Sequence, residues 1–176
     1  MSKIAAALLS FLCVALFAMP ASAQILPRGN VYAGVSYGEL ENVVPPLQSY
    51  KGWVGSVEDM PFSRFPHLGF VFEGNGYYRR GTDGGTISQY TGLLGARLSA
   101  NYGKWHPFAD AMGGYQHINS TGTLYNHYVI DVGGGADYKL PFKNFSWRVQ
   151  GDYVRTHYAS SAQNAYRFST GIVWRF

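Results

Sequence analysis

The chain has 176 residues, a formal charge of +4 and only 14% charged residues, against 47% hydrophobic and 16% aromatic. Its basic residues are scattered rather than clustered, which gives nucleic-acid binding no support. The only cysteine, Cys13, lies in an early apolar stretch, so the rest of the chain offers no disulfide, thiol nucleophile or cysteine-based metal site.

The first element is that apolar stretch. Lys3 precedes an uncharged run from Ile4 to Ala18, and Pro20-Ala21-Ser22-Ala23 comes next. This is the order of a secretory signal peptide, with Ala21 and Ala23 at the small-residue positions of the cleavage site. The run is shorter than the roughly 20 residues a membrane-spanning helix needs. Residues 1–23 are therefore expected to be removed, leaving residues 24–176 as one domain with a formal charge of +3.

The chain is rich in Gly (22), Tyr (14) and Phe (11), a composition suited to strands and tight turns. Alternation of residue character marks the strands, since successive side chains of a strand point to opposite faces. Weak strands are predicted over Asn30–Gly38 and Tyr50–Glu58. In Leu68–Tyr78, Leu68, Phe70 and Phe72 share a face, while Val71, Glu73, Asn75 and Tyr77 share the other. From Tyr90 to Asn101, Leu94, Ala96 and Leu98 oppose Leu93, Arg97 and Ser99.

A further weak strand, Pro107–Gln116, turns Asp110 inward between Ala109 and Ala111. In Val129–Tyr138, Asp131 and Asp137 point the same way, opposite Ile130 and Val132. Trp147–Tyr153 sets Arg148, Gln150 and Asp152 against Trp147 and Val149. The last strand, Tyr166–Phe176, sets Arg167, Ser169 and Arg175 against Phe168, Ile172, Trp174 and Phe176. Eight strands of about ten residues, the five strongly alternating ones each with its charge on one face, fit an eight-stranded antiparallel up-and-down transmembrane β-barrel with lipid outside. A soluble sandwich alternates too, with the charged face outward, so periodicity alone does not choose between them; the signal peptide, the aromatic distribution and the terminal Phe176 favour the barrel.

The connections Glu39–Ser49, Arg79–Gln89, His117–Asn126 and Arg155–Ala165 read as long outer loops. Asp59–Pro66, Tyr102–His106 and Lys139–Asn144 read as shorter turns at the opposite end. Aromatic residues gather near both strand ends, as interfacial girdles require. Phe62, Phe65, Trp105, Phe142, Phe145, Trp147 and Trp174 are assigned to one girdle, and Tyr37, Tyr50, Tyr77, Tyr90, Tyr128, Tyr153 and Tyr166 to the other.

Several stretches carry a family likeness: Gly52-Trp53, His67-Leu68-Gly69, Pro107-Phe108-Ala109, Gly133-Gly134-Gly135-Ala136-Asp137-Tyr138, Trp147-Arg148-Val149, Gln150-Gly151-Asp152-Tyr153 and Arg167-Phe168-Ser169-Thr170-Gly171-Ile172. In this order the chain resembles the OmpA-like and opacity-protein-like outer-membrane barrels of the porin-family type. The resemblance implies residence in the bacterial outer membrane, contact with its lipids, and passage through the secretion apparatus and the barrel-assembly machinery. It also implies that Phe168, Ile172, Trp174 and Phe176 form the carboxyl-terminal assembly signal.

An eight-stranded barrel is just wide enough for side chains to fill it. The inward charges are Glu58, Glu73, Asp110, Asp131, Asp137 and Asp152 against Arg97, Arg148, Arg167 and Arg175, and a lumen network of salt bridges is expected from them. The chain is accordingly expected to be a monomeric, non-enzymatic surface protein that acts through its outer loops in envelope integrity, adhesion or surface interaction. The alternative is a narrow pore for ions or small solutes. A lipid A-modifying enzyme would need His157 with Ser160 or Ser161, but no acid follows Asp152 to complete such a set. His117, His127 and His157 lack the local spacing of a metal site, and no cofactor motif is present; Gly133–Gly135 lies inside a strand and reads as relief for the lumen or strand curvature.

Overall fold

The computed structural model describes residues 28–40, 48–61, 67–80, 86–120, 123–157 and 162–176. The expected signal peptide with Ala21 and Ala23, and also Phe62, Phe65, Ser160 and Ser161, lie outside them. Eight strands run in chain order: β1 (Gly29–Leu40), β2 (Gln48–Asp59), β3 (Leu68–Arg80), β4 (Thr86–Ser99), β5 (Trp105–Ser120), β6 (Thr123–Lys139), β7 (Phe145–His157) and β8 (Ala162–Arg175). Each pairs antiparallel with its sequence neighbour, and β1 pairs with β8 from Asn30↔Arg175 to Leu40↔Ala165, closing the barrel.

Closure satisfies the backbone of every strand within the wall, the condition for a sheet to lie in lipid. The side chains divide as lipid demands. Val35, Phe72 and Leu94 point outward and are 65%, 58% and 64% exposed, while their strand neighbours Ser36, Glu73 and Leu93 are buried inside. A soluble sandwich would invert this arrangement, so the outward apolar face identifies a membrane barrel.

The strands are longer than predicted, at 12 to 17 residues where roughly 9–11 cross a bilayer. The pairing extends to Leu40↔Gln48, Arg80↔Thr86, Ser120↔Thr123 and His157↔Ala162. The expected ten-residue outer loops therefore shrink to the segments 41–47, 81–85, 121–122 and 158–161. The opposite connections, 60–67, 100–104 and 140–144, are no shorter as a group, so the predicted contrast between long loops and short turns is absent. Of the residues that suggested loops, Thr86, Ser88, Asn119, Ser120, Thr123 and Asn164 belong instead to strand ends, where the hairpin ladder continues.

One of those turns shows why the chain reverses where it does. Tyr102 and Trp105 exchange backbone hydrogen bonds across Gly103-Lys104, and Gly103 adopts φ +65°. A two-residue hairpin needs that left-handed geometry, which glycine adopts without steric cost.

Candidate functional site: the lumen and the rim

The lumen is built from two groups of ion pairs. Near the end that holds Asn30 and Arg175, Arg97 pairs with Asp110 at 2.6 Å and with Glu58 at 3.2 Å. Arg148 grips Asp137 through Nε at 2.7 Å and Nη2 at 3.0 Å, and Arg175 reaches the same carboxylate at 2.6 Å. Further along the axis Arg167 gathers Glu73 at 2.7 Å, Asp131 at 2.9 Å and Asp152 at 2.8 Å.

All ten charged residues assigned to the lumen thus take part in these contacts. Nine are buried and Arg175 is partly so. Three pairs are direct register neighbours: Arg97↔Asp110, Asp137↔Arg148 and Asp152↔Arg167. The others join strands that are not adjacent, and the contact of Arg167 on β8 with Glu73 on β3 exists only because the sheet closes.

Aromatic rings complete the filling. The Arg97 and Arg148 guanidiniums lie 4.3 and 4.6 Å from the ring centre of Phe108, and Arg148 is also 4.9 Å from Tyr32. Cation–π contact of this kind gains strength where water is excluded. Sequence patterning does not single out Tyr32 or Phe108, although Phe108 shares strand parity with Asp110. Apolar side chains fill the remaining interior, with Val71, Leu93, Met112 and Val129 in one cluster and Tyr32, Val54 and Val173 in another.

Two girdle assignments need correction. Tyr50 and Tyr77 face the lumen, where their rings meet edge to face at 4.5 Å and the Tyr77 hydroxyl hydrogen-bonds Ser36. Tyrosine suits both settings, an interface and a polar interior, so ring type alone does not choose a face. Tyr37, Tyr90, Tyr128 and Tyr166 are exposed outside, as are Trp105, Phe142, Phe145, Trp147 and Trp174 at the other end. The exterior also carries Tyr78 and Tyr115, with the Tyr78 and Tyr90 hydroxyls 2.8 Å apart. Phe168, Ile172, Trp174 and Phe176 all point outward.

The histidines stay apart in their contacts. His117 Nδ1 meets Asn126 Oδ1 at 2.7 Å, His127 stacks on Tyr125, and His157 lies against Tyr128. Among the described residues the acidic trio Asp110, Asp131 and Asp152 is the one group with metal-compatible spacing, and Arg97 and Arg167 already bind its oxygens. Asp152 is held by Arg167 and by Gln150, within the lumen network.

No protein-family model and no curated protein sequence matches the chain. Solved structures do resemble it. Neisserial surface protein A aligns at 13% identity and TM-score 0.68, covering 84% of this chain and 97% of that one. The attachment invasion locus protein Ail of Yersinia pestis aligns at 14% and 0.57, covering 85% and 98%. The outer membrane protein OprG of Pseudomonas aeruginosa aligns at 10% and 0.58, covering 85% and 95%. The fold is that of the OmpA-like, opacity-type outer-membrane barrels, and the apolar outer face fits the chain to the bacterial outer membrane.

Proposed function

We propose that this chain is a non-enzymatic, non-conducting outer-membrane protein that acts through the paired rim of its barrel in surface contact and envelope integrity. The filled lumen carries this reading. Arg97, Arg148 and Arg167 are each at most 4% exposed, and they lie across the interior with their carboxylates and with Tyr32 and Phe108. Closely paired side chains of this kind leave no room for a hydrated ion to pass.

The rim replaces the loops as the surface to consider. β5 and β6, of 16 and 17 residues, form the longest hairpin and are joined by only two residues. Its exterior presents Tyr115 and Tyr128, with their rings in edge contact, and Tyr125 stands exposed at the rim on the other face of β6. A rigid aromatic face loses little conformational entropy on contact, which suits recognition.

Planar-bilayer recording tests the closed lumen: the purified barrel should give no reproducible conductance steps, and regular open steps would overturn the proposal. For catalysis, the lipid A mass spectrum of expressing cells is expected to stay unchanged.

A further inference from the structure

A cavity of about 150 Å³ occupies the barrel end that carries Arg28 and Asn101, both exposed. A single water needs only roughly 10–15 Å³ on this scale, so there is room for a polyatomic ion and its hydration. Four guanidiniums line it, those of Arg28, Arg97, Arg148 and Arg175, together with His106 and two carboxylates, Glu58 and Asp137. The lining thus carries two excess positive charges, and Asp110, which pairs with Arg97 from outside the lining, lowers the excess to one.

Unpaired donors face the cavity. Arg148 is 1% exposed, yet its Nη1 has no partner, and Arg175 Nε is likewise unpaired, against the unpaired acceptors Asn30 Oδ1 and Glu58 Oε1. The carboxylates facing them are already engaged. Both oxygens of Asp137 are taken by Arg148 and Arg175. Glu58 Oε2 accepts from Asn30 and Arg97, and its free Oε1 sits against Gly69 on β3, where a β-carbon would lie 2.7 Å away. A buried guanidinium donor left without an acceptor is costly, and an oxyanion is the partner that its planar fork fits.

We propose that this vestibule binds one small oxyanion, of the phosphate or carboxylate class, between Arg148, Arg175 and Arg28. The site is a dead end, closed inward by Phe108 and the Arg97 and Arg148 pairs. The proposal is separate from the question of conductance, since binding at a blind vestibule and passage through the barrel are measured independently.

The test is calorimetric titration of the full chain, folded in lipid-free detergent, with inorganic phosphate at constant ionic strength. Saturable one-to-one binding is expected. The double variant Arg28→Gln, Arg175→Gln should weaken it about tenfold or more, the scale of one lost charge-assisted hydrogen bond. Both changes lie at the mouth, and retained heat-modifiable migration confirms that the variant folds. A milder variant, Arg28→Gln alone, keeps the test open if the double one fails to fold. Absence of saturable binding, or binding that the variants leave intact, overturns the proposal. So does binding that appears only in phosphatidylglycerol vesicles and not in detergent, because that assigns the phosphate to a lipid headgroup.

Discussion

The carboxylate of Asp152 lies against Gly133, its register partner across β6 and β7, in the space that a β-carbon would occupy. Gly133 therefore holds open the position from which Asp152 reaches Arg167. Replacing it with Val should push the carboxylate off the guanidinium and cost about 1–3 kcal/mol, as overpacking typically does. Gly151 is the matched control: it faces outward, and an added β-carbon would meet nothing within 4 Å, so Gly151→Ala should stay within about 0.5 kcal/mol. Urea midpoints of the two variants, refolded in the same lipid, compare them directly.

Among the described residues, Arg167 is the sole basic partner of Glu73 and Asp131. Arg167→Met should leave three carboxylates uncompensated and cost about 3–5 kcal/mol at neutral pH. The deficit carries a pH signature. Protonating the carboxyls removes the buried charge, so the gap between variant and wild type should narrow as pH falls. Adding Glu73→Gln, Asp131→Asn and Asp152→Asn should restore most of the lost stability at pH 7. A gap that is flat across pH, with no rescue, would show that the cation is not what matters.

Leu94 stands in the outer apolar face beside Phe72, its register partner on β3. Leu94→Arg should destabilise the barrel by about 2–4 kcal/mol in a bilayer, the cost of a charge near the midplane. In detergent, where the head can reach water, the loss should be much smaller. Equal losses in both media would contradict lipid contact at this position.

Phe176 lies outside the lumen, its ring 5.4 Å from that of Trp174. If the terminal aromatic pattern is read during assembly, Phe176→Ser should lower the heat-modifiable fraction in cells while purified chains still refold in detergent. Equal losses in cells and in vitro would make the residue structural rather than a signal.

Much of the architecture can be read from residue parity. Glu73, Asp131, Asp152 and Arg167 each fall on the charged face of an alternating strand, and each is inside the barrel. Their mutual contacts are another matter. Arg167 meets Asp152 through register, but its contact with Glu73 depends on closure and stagger, which no local pattern encodes. Ring type places Tyr50 and Tyr77 in a girdle, whereas parity with Glu73 puts Tyr77 inside. The strand ends escape a sequence reading because Thr, Ser and Asn mark a turn in water and also tolerate a solvated strand.

The seam between β1 and β8 bears on biogenesis. It joins residues 30–40 to residues 165–175, the most distant parts of the described chain. Neither strand can complete its backbone pairing until the other has arrived, so the ring has no stable seven-membered precursor in lipid. Closure in lipid must therefore wait for the last strand, and an open intermediate would expose two unpaired edges of the kind that invites aggregation. Topology thus makes the β1–β8 pairing the step on which the stability of the whole wall in lipid depends.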